Sequence, residues 1–352
     1  MDGIVVGASA FKYWRVPPQV FGLIPPLPCE VMAASRRKVI SHPFVSDCIG
    51  LPVNRLITGK GRLHSTRNFV NRYWSGPLPP GAVVQSELGI EVASPAFTLL
   101  TLANQVSYIT LVMCAYELCG SFAVFKPSPR IEEALASPRN HAALNMPGGW
   151  ERVCSANGKA SNLWSRDPLI DIDDLRSFAV NTDGMRGHRA LVRAANDVRG
   201  VAASPFEVQA AMLLSLDTRL GGCGFKDLQL NRRIWLSASA RAISGRSSAI
   251  ADLYFEGEEG VKLDIECQSR LIHNSAPAAI EDSNRSLSLQ MMGVTVLPIT
   301  FEQVHDEKRF DRLADHIAKV LGRRRARRSE RYRVVEVELR AQIFCDWSRL
   351  VA

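Results

Sequence analysis

The sequence predicts an α/β fold for the C-terminal half, preceded by a smaller α+β domain. Three observations lead there. Residues 251–273, ADLYFEGEEGVKLDIECQSRLIH, read as two strands joined by a turn. Helix signals stand on both sides of this hairpin, so the order is helix, hairpin, helix, strand, helix, and such interleaving marks α/β architecture. The chain has 352 residues, of which 46% are apolar, enough for about two domains with an ample core.

The elements follow in chain order. Residues 92–116 form an uncharged stretch long enough to raise a membrane span. Ser94 followed by Pro95 is a helix cap with Pro in the first turn, and the polar residues Asn104 to Ser107 split the stretch. Two capped, buried helices are therefore expected, and no membrane. Pro127 and Pro129 open a polar connector. Residues 130–200 read as helical and loop-like, with turns at Asn157-Gly158 and Asp183-Gly184 and a basic helix over 188–199. Ser204-Pro205-Phe206-Glu207 then starts a helix that continues through Ala210, Leu213, Leu214 and Leu216. Beyond the hairpin, 278–292 reads as a helix stopped by Gly293, with Asp282 and Arg285 on one face. Residues 294–299 read as a strand. Phe310, Leu313, Ile317, Val320 and Leu321 then recur at helical spacing. The alternation of Val335, Val337 and Leu339 suits an added strand or an amphipathic extension. The expected divisions are 1–124, a connector over 125–200, a principal domain over 201–325 and a basic extension over 326–352.

The hairpin carries the candidate chemistry. Side chains two apart on a strand share a face. Leu263, Ile265 and Cys267 are thus expected in the core, with Asp264, Glu266 and Gln268 on the other face and Asp252 across the hairpin. Such oxygen donors suit a hard divalent cation. The same pattern also suits an acidic hairpin with a solvated outer face. Glu207 likewise has two readings, since Ser204-x-x-Glu207 is a capping box.

Charge is uneven along the chain. The net charge is +8; residues 1–200 carry about +6, 251–300 about −5 and the segment from 301 about +4. An acidic pocket inside a basic molecule suits a phosphodiester substrate. Arg323, Arg324, Arg325, Arg327 and Arg328 are candidate phosphate contacts, though a solvated helix end also accommodates them. Arg36, Arg37, Lys38, Lys60, Arg62, Arg67 and Arg72, interleaved with Phe69, Tyr73 and Trp74, form a second candidate nucleic-acid face. The eight cysteines show no metal-ligand spacing. No signal-peptide pattern opens the chain, so reduced thiols in a cytoplasmic protein are expected.

Glu207, Asp252, Glu266 with Gln268, His273, and Asp282 with Arg285 fall in an order that resembles the restriction-endonuclease-like, PD-(D/E)XK fold. The likeness is nearest to the bacterial branch related to very-short-patch repair endonucleases and covers about residues 200–325. It implies a three-layer domain with a central mixed sheet. It also implies cleavage of DNA with Mg²⁺, or Mn²⁺ as the alternative. Asp252 and Glu266 would be the ligands, Gln268 an accessory donor, and His273 or Glu207 would orient water or metal. Two departures stand out: the wider fold has Lys where Gln268 stands, and the nearer branch has Asp followed by Gly. Residues 83–103, VVQSELGIEVASPAFTLLTLA, are similar to the SP-x-RTL-x-D-LA signature of abortive-infection (type IV) antitoxins, with Phe97 and Thr101 replacing its Arg and Asp. The stretch from Ser9 to Pro18 is similar to the helix start of the same proteins. That second likeness implies an alternative: a non-catalytic regulator that binds DNA or a cognate toxin protein.

Overall fold

The computed structural model describes residues 3–25, 27, 40–58, 64–140, 146–155, 157–257, 260–268, 276–326 and 328–351. Its front sheet has the order β3-β2-β1-β5-β4, with β1 (Ile4–Val5), β2 (Val53–Ile57), β3 (Phe69–Tyr73), β4 (Val83–Gln85) and β5 (Glu91–Ala93). It is mixed: β1 runs parallel to β5 and antiparallel to β2. Helices α1 (Gly7–Tyr13) and α2 (Pro18–Phe21) follow β1. Ser9 does not start α1. It lies inside the helix, where its hydroxyl accepts the Asn54 N–H at 2.9 Å.

The uncharged stretch forms two helices as expected, α3 (Pro95–Leu102) and α4 (Tyr108–Cys119), capped by the Ser94 and Ser107 hydroxyls. Among the described residues, no helix is long and apolar enough to cross a membrane. Thr101, at the signature's Asp position, accepts the Gly7 N–H at 3.0 Å and so caps the start of α1.

The connector holds more than helices and loops. β6 (Phe122–Val124), β7 (Glu151–Cys154) and β8 (Ala160–Ser165) form an antiparallel sheet in the order β6-β8-β7, and Asn157-Gly158 is the turn of its hairpin. The half-exposed, charged β7 hides the apolar signal of a strand. Helices α5 (Pro129–Ala136), α6 (Ile172–Val180) and α7 (His188–Asp197) complete the segment.

In the principal domain, α8 (Pro205–Ser215) precedes a four-stranded sheet of order β12-β11-β10-β9. β9 (Gln229–Trp235), β10 (Ser248–Glu256) and β11 (Lys262–Gln268) form an antiparallel meander. α9 (Ala238–Ser244) lies in the β9–β10 connection. After α10 (Ala276–Met291) the chain returns as β12 (Val294–Thr300), parallel to β11 over the full register Lys262↔Val294 to Gln268↔Thr300. Leu253, Phe255, Leu263, Ile265 and Ile299 join the large core. Tyr254, Val294 and Leu289 form a second, smaller cluster. Both faces of the sheet are thus covered. β9, an edge strand with Asn231, Arg232 and Arg233 in its middle, was not foreseen from the sequence.

α11 (Phe301–His305), α12 (Glu307–Val320) and α13 (Glu330–Ile343) end the chain. Of the two alternatives expected here, the added strand does not form; α13 is a helix. Its buried stripe is Glu336, Leu339, Arg340 and Ile343, a helical spacing in which two of four positions are charged. Polarity therefore concealed the period. The large core runs without a break from Ile4 to Val351, so 326–352 is part of the body of the protein.

One buried ion pair links the beginning, middle and end of the chain. Arg15 Nη2 meets Glu117 Oε2 at 2.5 Å, and Arg15 Nη1 donates to the Trp347 carbonyl at 2.8 Å. Glu117 Oε1 accepts the Val124 N–H at 2.9 Å. Removing one member of a buried pair leaves an uncompensated charge, at a cost of about 3–5 kcal/mol. Glu117→Ala should lose stability on that scale in chemical denaturation. An Arg15→Met/Glu117→Met double variant should recover most of it. A loss below about 1 kcal/mol for Glu117→Ala would show that water reaches Arg15.

Candidate active site

The site arises where two strands part. The β10–β11 ladder runs from Glu256↔Lys262 to Leu253↔Ile265 and stops. One residue further, the Asp252 carboxylate takes over from the backbone and accepts the Cys267 N–H at 2.9 Å. On the facing strand, Asn231 has φ 48°, the only positive φ of a non-glycine among the described residues. Asn is one of the few side chains that tolerates this region. Its Nδ2 donates to the Val201 carbonyl at 2.7 Å and to Glu207 Oε2 at 2.8 Å. The inward alternation of β10 shifts at the same place: Ala249, Ala251 and Tyr254 belong to the small cluster, Leu253 and Phe255 to the large one.

The parting strands open a recess of about 660 Å³, lined by Glu207, Asp252, Glu266, Gln268 and Arg285. Val153, Leu163 and Ser165 of the β7–β8 hairpin form another wall, so the connector helps to build the site. Arg285, projecting from α10, is the common partner of the carboxylates. It pairs with Glu266, lies 3.7 Å from Asp252 Oδ1 and 3.9 Å from Asp282 Oδ1, and donates to the Ile250 carbonyl at 3.0 Å.

Each carboxyl group answers the crowding differently. Burial, then Glu266 and Glu207, raises the Asp252 carboxyl above the usual range. Glu207 is raised by burial, but its charge is supported by the Ala203 N–H at 2.8 Å, the Ser204 hydroxyl at 2.9 Å and Asn231. The cap and the recess thus use the same carboxylate. Asp264 is fully buried, and neither of its oxygens meets a donor; the same holds for Glu266 Oε1. Burial, followed by the neighbouring Glu266 and Asp252 carboxylates, drives the Asp264 carboxyl far upward. Burial beside other carboxylates favours the protonated form of Asp264.

The sequence-predicted residues are distributed as follows. Glu207, Asp252, Glu266 and Gln268 meet in one recess, with Gln268 exposed at the end of β11. Asp264 shares the acidic side of its strand, but it lies in the protein interior instead of lining the recess. His273 and Arg327 lie outside the described residues, as do Arg36, Arg37, Lys38, Lys60 and Arg62. The arginine run is folded back on acidic side chains. Arg323 pairs with Asp227, Arg325 with Asp311 and Asp315, and Arg328 with Glu307, Asp311 and Glu336. These three charges are neutralised within the molecule, whereas Arg324 is exposed. Sequence reasoning missed Asn231, whose only signal is a residue tolerant of positive φ inside a strand.

The donor set suits a hard cation. Among the described residues, no three Asp, Glu, His or Cys side chains converge to hold an ion by themselves. Mg²⁺ does not need that many, because it commonly binds through one or two carboxylates, completing its shell with water and phosphate. Asp252 and Glu266 meet this requirement, and Arg285 lies where a cation shared by them would sit. The seven described cysteines are free thiols.

No family model, no curated protein and no solved structure matches this chain.

The burial of Asp264 makes stability depend on pH. The unfolded chain loses this proton above about pH 4, while the native state keeps it. The native state therefore binds more protons, and stability falls as pH rises through the neutral range. Asp264→Asn keeps the shape without the titration. Its unfolding midpoint should drop less than that of the wild type between pH 5 and pH 8 in thermal melts. Equal slopes would place a charged Asp264 in the native state.

Proposed function

We propose that the chain is a metal-dependent nuclease of the restriction-endonuclease-like class, hydrolysing a phosphodiester bond of DNA. The observation that carries this reading is the convergence of Asp252 and Glu266 on one guanidinium in a recess opened by the parting of β10 and β11. The chain order supports it. A helix with Glu207, the strand with Asp252, the strand with Glu266 and Gln268, a helix with Asp282 and Arg285 and a final strand follow one another in the order that the resemblance implies.

Asp252 and Glu266 would hold Mg²⁺ or Mn²⁺, with the Gln268 amide as a neutral oxygen donor. A bound ion lowers the pKa of a coordinated water and offsets charge on the phosphate. The protein's own groups do the rest. Burial favours a neutral Asp264, and Asn231 and Ser204 hold Glu207 in the wall of the recess. Arg285 lies within the recess on anionic partners, so an entering phosphate exchanges one such partner for another. Among the described residues no Lys lines the recess, so in this reading the water is oriented without an ammonium group.

A second reading, a DNA- or toxin-binding regulator without cleavage, draws on a specific observation. Arg285 already compensates Asp252 and Glu266, and Gln268 stands where the wider fold carries Lys.

Plasmid cleavage with Mg²⁺ and with Mn²⁺ separates the two. The wild type should nick or linearise the plasmid. Asp252→Ala should lower the rate by about a hundredfold or more, with little change in the unfolding midpoint. Gln268→Ala should lower it by about tenfold or more, and Gln268→Lys should retain or improve cutting. No cleavage by the wild type with either ion, together with DNA binding unchanged in all three variants, would leave a binding module.

A further inference from the structure

Next to the recess lies a second cavity of about 630 Å³, and Asp282 and Arg285 line both. Its outer wall is the edge of the principal sheet. On that edge the cross-strand pairs are Ser248↔Trp235 and Ile250↔Arg233, and side chains of directly opposed residues share a face. Trp235 is 63% exposed, and the Arg233 guanidinium sits 6.0 Å from its ring centroid. A large ring this open on a charged edge has no packing reason to be aromatic.

The charges at this edge differ from those of the arginine run. Among the described residues, neither Arg232 nor Arg233 has an acidic partner, and both are exposed. Arg246, also lining the cavity, pairs with Glu281 among the described residues, and both side chains are more than half exposed. An ion pair in that setting contributes little, so a phosphate can replace Glu281 at small cost. On β10, Ser248 and Ile250 step toward Asp252. Four residues of strand place the Trp235 partner about 13 Å from the acidic centre.

We propose that this edge is the track on which the nuclease receives a single unpaired strand, with one base stacked on Trp235 and neighbouring phosphates on Arg233 and Arg246. The inference rests on the nuclease reading and names its substrate class. Stacking needs a base whose face is free, which an unpaired strand offers and the interior of a duplex does not. A cavity of this volume has the size of a small-ligand site and takes a nucleotide or two, not a double helix.

Fluorescence anisotropy with labelled oligonucleotides tests the track without relying on catalysis. The full chain is titrated in EDTA against a single strand and against the duplex of the same sequence. The single strand should bind more tightly. Trp235→Ala should weaken its binding by about 5- to 150-fold, and Trp235→Phe should restore most of it. Arg233→Ala should reduce affinity and lower the slope of log affinity against log salt by about one. Trp235-dependent strand binding by a chain that never cleaves would keep the track and overturn the nuclease reading. Duplex cleavage indifferent to Trp235→Ala would keep the nuclease and overturn the track. Equal binding of single strand and duplex, unmoved by either variant, also overturns it, as does absence of oligonucleotide binding.

Discussion

Glu207, Asp252 and Glu266 gather at one parting in a sheet, with Asp264 buried two residues away on β11, and the surrounding elements are arranged around holding them there. Carboxylates at such close quarters cannot all ionise in a poorly solvated place. The structure answers in three ways. Arg285 from α10 compensates Asp252 and Glu266, which ties that helix to the meander. Asp264, buried on the same strand, is pushed toward its neutral form. Glu207 keeps hydrogen-bond donors from Ala203, Ser204 and Asn231, which fixes the start of α8 against β9. The capping of a helix, the left-handed residue in an edge strand and the crossover helix thus all serve the same cluster.

The second organising contact lies away from the site. Arg15, Glu117 and the Trp347 carbonyl join three segments that are remote in the chain, and Arg166 adds bonds to the Glu117 and Gly120 carbonyls. With this pair closed, the front sheet, α4 and the C-terminal helix share one continuous core. The β7–β8 hairpin hangs from that body and supplies a wall of the recess, so a segment that reads as a connector is a working part of the cleft. The arginine run has a similar structural role. By pairing with Asp227, Asp311, Asp315 and Glu336, it fastens the turn between α12 and α13 to its surroundings.

Positive charge open to a ligand is therefore found at the β9 edge beside the acidic recess. Edge strands are exposed to unwanted pairing, and charged side chains are a common protection. Arg232 and Arg233 serve that purpose whatever else they bind. Trp235, in contrast, adds an apolar surface to an edge that protection alone would keep polar, which is why a ligand is the better account of it.

By itself, the sequence determined the local pieces. Ser94 and Ser204 announce the helices they cap, because a hydroxyl before a helix start satisfies an N–H that nothing else nearby can reach. The alternation from Leu263 to Gln268 places Glu266 near Asp252, since the period of a strand is a property of its backbone. Tertiary structure decided what the same residue types do. Asp264 and Glu266 share one alternating run, yet the packing around β11 leaves one enclosed with no donor on its oxygens and the other paired with Arg285. In α13, Glu336 and Arg340 occupy core positions that polarity assigns to the surface, because Arg328 and the Val304 and His305 carbonyls are there to receive them. Identical arginines lie paired in the C-terminal run and open on β9. A side chain's charge is written in the sequence, but its partner is set by which distant segments fold against it, and that contact has no period to read.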